Sequence, residues 1–343
     1  MSLLALRDLH VEFSTYGGVV KAVRGVSLEV ERGRTLAVVG ESGCGKSVTF
    51  QAAMGLIPSP PGRVTHGSVR FDGQELVGAT VTALNRVRGK DVGMIFQDPM
   101  TCLNPTMKVG RQITEALRFH EGLSTGTARA RAIELLERVR IPEAGMRVDH
   151  YPFQFSGGMR QRVMIAMAIA CRPKLLVADE PTTALDVTVQ AQILDLLRDL
   201  QREAGMAIVL ITHDLGVVAQ MADEVAVMYG GQIVERGTVD DVFYRSAHPY
   251  TLGLKQAMPS DAEGPRARLE PIEGSPPDLF SPPPGCAYFD RCPWAMKACG
   301  PELPPLWPVQ PGHAARCWLH HEAATPRRPP ALFRGTLMPG SAA

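Results

Sequence analysis

The segment TLAVVGESGCGKS places Gly40, Gly43, Gly45, Lys46 and Ser47 in the spacing GxxxxGK[ST], directly after an apolar run and before the helical pattern VTFQAAMGL. Glycine accepts backbone turns closed to other residues, so consecutive N–H groups can converge on phosphate oxygens. A helix N-terminus behind them adds partial positive charge. Lys46 suits the β and γ phosphates, and the Ser47 hydroxyl suits a bridging Mg2+. Ser42, Cys44 and Val48 belong to the same cradle, Cys44 at a position that the spacing leaves free.

Two carboxylates end the apolar run LLVADE, Leu175 to Glu180. Adjacent strand residues face opposite ways. Asp179 can therefore serve Mg2+ through water while Glu180 points towards an attacking water. A carboxylate is a weak base at neutral pH, so orienting that water is the larger part of its expected effect. Alone, such a pair reads as a strand-end turn; a phosphate loop in the same domain changes the balance.

Further candidates stand at other strand ends. His213 follows AIVLIT, where contact with a γ phosphate is expected, although a lone histidine there is commonly structural. Gln97 follows VGMIF and can ligate Mg2+ and touch water, and Asp186 closes PTTALD. Ser156, Gly157 and Gly158 open the long apolar helix of QFSGGMRQRVMIAMAIA. This is a second anion site by helix dipole and free N–H groups, or, for SGG by itself, an N-cap with a flexible loop. Two anion sites for one phosphate chain imply that two subunits share each nucleotide.

The elements that must hold these residues are legible as alternation. TLAVV, LLVAD and AIVLIT are short apolar runs, and DVTVQAQILDLLRDLQREAG is an amphipathic helix, which together predict an α/β domain with a largely parallel sheet. LLALRDLHVEF, SLEV and SVRFDG predict an antiparallel N-terminal sheet. Residues from about 98 to 170 read as a helical insertion, with a helix over Thr127 to Arg140. Of the 28 prolines, 18 lie from Pro259 onward, with four of the seven cysteines, so composition changes near residue 260. We expect one domain over 1–260 and an extension over 261–343 whose tail after Ala323 is poorly ordered.

With 36 basic and 35 acidic residues the formal charge is +1, which gives no broad field for nucleic acid or anionic lipid. The N-terminus lacks a basic leader, so no signal peptide is expected. The longest apolar run, Val163 to Cys171, is about half a bilayer span. The subunit is not expected to cross a membrane.

In order along the chain, GESGCGKS, FSGGMRQR, LLVADE, TALD and ITHD resemble the Walker A, signature, Walker B, D-loop and switch-histidine segments of the ABC ATPase family. The resemblance covers residues 1 to about 260. Phe155 and Met159 depart from the commoner Leu and Gln of the signature, leaving its serine and glycines intact. It implies a head-to-tail dimer with ATP and Mg2+ between the phosphate loop of one subunit and Ser156 to Gly158 of the other. It also implies an aromatic stacked on adenine, for which Tyr16 is chosen and Phe13 competes, and a helical insertion that passes motion to membrane subunits with Gln97 at its hinge.

AHPYTLGL, Ala247 to Leu254, followed by the cysteine-bearing extension, resembles the C-terminal region of oligopeptide and dipeptide importer ATPases. That implies uptake of peptides or similar small nutrients, a second ATPase subunit that is often a paralogue, two transmembrane permease subunits and an extracytoplasmic solute-binding protein. It places the subunit peripherally on the cytoplasmic face of the membrane. Cys286, Cys292, Cys299 and Cys317 are separated by 5, 6 and 17 residues in a stretch too small to build its own core. Four thiolates suit zinc or an iron-sulfur cluster; no gap is the two-residue knuckle of zinc ribbons, and the resemblance implies a [4Fe-4S] cluster. Cys102 and Cys171 read as packed residues. A soluble ABC ATPase acting on nucleic acid or ribosomes is the competing function; paired cassettes or long coiled-coil insertions would mark it, and neither is present in this sequence.

Overall fold

Where the sequence alternates apolar runs with amphipathic ones, the computed structural model, which describes residues 2–183, 185–257, 271–327 and 332, shows strands and helices in that order. The N-terminal part contains β1 (Ser2–Thr15), β2 (Gly18–Glu31), β3 (Thr35–Val39), α1 (Lys46–Ala53), β4 (Gly62–Phe71) and β5 (Gln74–Glu75). Then come α2 (Val81–Val87), β6 (Val92–Ile95), α3 (Pro99–Cys102), α4 (Val109–Glu121), α5 (Thr125–Arg138), α6 (Ala144–Arg147) and α7 (Gly157–Ala168). Next are β7 (Leu175–Asp179), α8 (Val187–Ala204), β8 (Ala207–Thr212), α9 (Leu215–Met221), β9 (Glu224–Tyr229) and β10 (Gln232–Thr238). The chain continues through α10 (Val239–Tyr244), α11 (Pro249–Gln256), β11 (Trp307–Gln310) and β12 (His313–Ala315).

Two compact units can be distinguished. The first is built mainly from Glu29–Thr35 and Arg70–Thr212, the second from Ala5–Leu28, Leu36–Val69 and the described residues from His213 onward. In the first, β6, β7 and β8 run parallel, with Val92 opposite Leu175 and Leu175 opposite Ala207. Every residue of β7 and β8 is buried, as continuous apolar strands must be when both faces are covered. Helix α8 buries Ile193, Leu194, Leu196, Leu197 and Leu200, a stripe of helical period. Asp186 caps its start by accepting the Val189 N–H at 2.9 Å, and Gly205 ends it in the left-handed conformation at φ 62°.

The expected helix over Thr127 to Arg140 begins two residues earlier and stops two earlier. The Ser124 hydroxyl caps it from the Thr127 N–H at 3.3 Å, and Arg140 turns left-handed at φ 60°. The run VTFQAAMGL likewise stops at Ala53, because Gly55 adopts φ 63° and closes the last turn onto the Ala52 carbonyl.

In the second unit, β1 lies between β2 and β4, and Tyr16-Gly17 turns β1 into β2. Strand β3 runs parallel to β9, β9 pairs antiparallel with β10, and the hairpin of β11 and β12 adds to β10 with Glu235 opposite Ala315. The proline-rich extension therefore borrows a core. Ala287 and Tyr288 pack into the cluster of Val39, Val227, Tyr229 and Tyr250. The tail beyond Arg327, apart from Leu332, lies outside the described residues, as do 258–270. Among the described residues no helix is long and apolar enough to cross a membrane.

Leu197 carries the α8 stripe at 0% exposure. Leu197→Ala should cost about 2–5 kcal/mol of unfolding free energy in urea titration. A loss under about 1 kcal/mol would mean that α8 is not held by this face.

Candidate active site

The phosphate loop follows β3 and enters α1 through Gly45, which caps the helix at φ 99°. A side chain at Gly45 would place Cβ 2.4 Å from the Ala22 carbonyl oxygen, and one at Gly40, φ 152°, would lie 2.1 Å from the Met228 oxygen. Both positions need a residue without Cβ. Gly43, φ 78°, has open space where its Cβ would be, so a ligand can approach the backbone there. Ser42 and Gly43 are exposed, and Ser47 and Val48 are half-buried.

Lys46 is buried, and its Nζ donates to the Gly40 carbonyl at 2.8 Å and the Glu41 carbonyl at 2.9 Å. These carbonyls hold the ammonium in the mouth of the loop, where phosphate oxygens can replace them. Cys44, at the position the motif leaves free, is buried under the loop with Sγ 3.8 Å from Lys46 Nζ, and burial pushes its thiol up.

In the first unit, Asp179 ends β7 and is buried, and Glu180 follows at φ 46°, a left-handed conformation rare for a residue with a side chain. The Glu180 N–H is held by the Ile211 carbonyl at 2.9 Å. Its Oε2 accepts from Gln97 Nε2 at 2.9 Å and from Thr183 Oγ1 at 2.9 Å. The carboxylate is thus oriented by two neutral donors. The structure brings Gln97 and Glu180 together as one pair at adjacent parallel strand ends. Thr183 was not picked out in the sequence; its place three residues after Glu180, in a turn, is the signal that points to it. Ala184 lies outside the described residues.

Ser156 caps α7, its Oγ accepting the Met159 N–H at 3.4 Å, with Gly157 and Gly158 as the first helical residues. Gly158 packs so closely on Val189 that a Cβ would meet it at 2.8 Å, whereas Gly157 faces open space. Asp186 spends its side chain on the α8 cap already described.

The second unit carries His213 directly after β8 and Tyr16 at the β1–β2 turn. Tyr16 is fully exposed, with its ring free to stack. Phe13, the competing aromatic, is packed instead: a Cβ on Gly62 would come within 2.8 Å of its ring. Phe280, unremarked in the sequence, lies beside the turn, 3.7 Å from where a Gly17 Cβ would stand.

Cys286, Cys292, Cys299 and Cys317 line one small cavity together with His248. Burial, with neighbouring thiolates adding, pushes Cys292 up to about 12 and Cys286 up to about 11. His248 caps α11 through Nδ1, which accepts the Tyr250 N–H at 3.0 Å, so the ring proton sits on Nε2. That Nε2 is buried without a hydrogen-bond partner. Four thiols and an unsatisfied N–H around one cavity fit a thiolate-held inorganic group. Among the described residues, no three or more His, Cys, Asp or Glu side chains are placed to hold a single metal ion. Cys171 is buried and Cys102 half-buried.

A further set passed unnoticed in the sequence. The Glu41 carboxylate receives Arg291 Nη1 at 2.8 and 3.0 Å, and the Glu41 N–H donates to the Tyr250 hydroxyl at 2.9 Å. Glu41 occupies a variable position of the glycine motif and Arg291 stands 250 residues later, so spacing carries no trace of the pair.

The ABC transporter family model matches residues 23–183, and the oligopeptide/dipeptide transporter C-terminal region model matches 234–299. The chain is 56% identical over 98% of its length, and 94% of the relative's, to the oligopeptide transport ATP-binding protein OppD of Bacillus subtilis (strain 168). It is 52% identical to the dipeptide transport ATP-binding protein DppD of the same organism, over 94% of this chain and 96% of that one. Among solved structures, a dimeric ATP-binding cassette in a post-hydrolysis state with ADP and Pi is 28% identical at TM-score 0.62, covering 69% of this chain and 98% of that one. A cassette from Clostridium perfringens, part of an ABC transporter complex, gives TM-score 0.59 at 28% identity, covering 71% of this chain and 90% of that one. With 56% identity to OppD across 98% of its length and both family models matched, the chain belongs to the ABC transporter ATP-binding family, in the branch that carries the oligopeptide/dipeptide C-terminal region.

Proposed function

We propose that this chain hydrolyses ATP to drive uptake of di- or oligopeptides, or similar small nutrients, through an ABC importer. The observation that carries the reading is identity of 56% across nearly the whole chain to a protein named for oligopeptide transport, in a chain that contains the glycine loop, the paired carboxylates and the serine-glycine segment. In this reading residues 1–260 form the ATPase domain and 261–343 the extension. Residues Gly40 to Val48 hold the phosphates, Lys46 and His213 contact the γ phosphate, and Tyr16 stacks on adenine. Ser47, Gln97 and Asp179 serve Mg2+. Glu180, steadied by Gln97 and Thr183, orients the attacking water and takes its proton as the γ-phosphoryl group transfers and ADP leaves.

Ser156, Gly157 and Gly158, together with Asp186, complete the site of a second subunit, an arrangement supported by the dimeric cassette that this chain resembles. The partner ATPase subunit is a paralogue, two permease subunits span the membrane, and a solute-binding protein delivers the peptide. The chain then sits peripherally on the cytoplasmic face. Nucleic acid has no place in this account, in keeping with the formal charge of +1.

Cys286, Cys292, Cys299 and Cys317 hold a [4Fe-4S] cluster in the same reading, zinc being the alternative. Such a group supplies a cross-link for the extension. What supports a shared group is that the four cysteines line one cavity.

Glu180→Gln should bind MgATP with affinity near that of the wild type, while phosphate release in the assembled complex falls by about a hundredfold or more. Turnover close to wild type would remove Glu180 from this role. Full-length chain purified without oxygen should contain iron and acid-labile sulfide in matching amounts, both lost in Cys292→Ser. Zinc without sulfide would select the alternative, and neither metal would reject a metal centre.

A further inference from the structure

Arg291 sits between two cysteines of the module, one residue before Cys292, yet its guanidinium reaches the phosphate loop. Its side chain is only 6% exposed and all its nitrogens are engaged. Nη1 donates to both oxygens of Glu41 and to the Tyr229 hydroxyl at 3.2 Å. Nε donates to the Glu273 carbonyl at 2.9 Å, and Nη2 to the Ile272 carbonyl at 3.1 Å. A buried arginine so fully bonded is a fixed point, because moving it would strand several donors at once.

Glu41 is the second residue of the loop, and each of its polar groups is tied. The carboxylate meets Arg291, the N–H meets Tyr250, and the carbonyl meets Lys46 Nζ at 2.9 Å. The carboxylate is also a negative charge, about one quarter exposed, at the mouth of a loop whose ligand is a polyanion. Left without its cation, it would repel phosphate and let the first turn of the loop shift under Lys46.

We infer that Arg291 is a positioning residue for nucleotide: it neutralises Glu41 and fixes the entry turn of the phosphate loop, making the loop between Cys286 and Cys292 part of the ATP site. The inference rests on the reading of Gly40 to Ser47 as that site. Arg291 touches no phosphate; it acts through Glu41. The cysteine module then has a definite task, holding in place the short loop that delivers this arginine.

The test is equilibrium MgATP binding by the full-length chain, followed by calorimetry, with thermal unfolding as a control on folding. Arg291→Gln should raise Kd about tenfold and Arg291→Lys, which keeps charge but loses the fork, about threefold. The double variant Glu41→Gln/Arg291→Gln should return to within about threefold of wild type, because no unpaired carboxylate remains. A merely structural arginine would leave the double variant as weak as the single one. Wild-type affinity in both single variants, or a double variant no better than Arg291→Gln, overturns the inference. If Arg291→Gln does not fold, Arg291→Lys and the double variant decide on the same thresholds. A wild-type chain that binds no MgATP overturns instead the nucleotide reading on which the inference stands.

Discussion

Phosphate groups carry dense negative charge, and a protein of near-zero net charge can hold them by aiming backbone N–H groups at them beside a single local cation. That requirement governs the stretch from Gly40 to Ser47. Gly40 and Gly45 pass within van der Waals reach of neighbouring carbonyls, where any Cβ would collide, and Gly43 keeps its face open to a ligand. Lys46 waits on the Gly40 and Glu41 carbonyls, so binding exchanges one set of oxygens for another. Much else in the second unit serves to keep that loop in place: Met228 on β9 beneath Gly40, Ala22 on β2 beneath Gly45, and Tyr250 and Arg291 on Glu41.

The first unit solves a different problem, that of aiming a carboxylate. Three parallel strands end side by side, and the chain leaves β7 through a left-handed Glu180. Such a conformation costs of order 1–3 kcal/mol and persists where the surroundings determine it. Here Ile211, Gln97 and Thr183 supply that determination. The Ile211 carbonyl accepts from the Glu180 backbone while Gln97 and Thr183 donate to its carboxylate, so a shift of the segment after β6 would be felt at Glu180 through Gln97.

How much of this was legible follows from the range of each interaction. The strands β3, β6, β7 and β8 and helix α8 could be read because burial on both faces, or on one helical stripe, imposes a short-range pattern on residue type. The glycine loop and the LLVADE carboxylates were legible because phosphate chemistry fixes residue types at close spacing. The ends of α1 and α5 were misjudged by a few residues, since a left-handed Gly55 or Arg140 leaves only a weak mark in sequence. Arg291 with Glu41, and Thr183 with Glu180, could not be paired from sequence, because long-range hydrogen bonds impose no spacing. The hairpin of β11 and β12 on β10 was hidden for the same reason: an edge strand recruits its neighbour through backbone bonds that any residues can make.

The central claim is that this loop captures MgATP, and calorimetric titration of MgATP into the wild-type chain and into Lys46→Ala tests it most directly. The account predicts one saturable site per wild-type chain and a loss of affinity of at least about tenfold when the ammonium is removed. Equal affinity in the two proteins, or no binding by either, would contradict it.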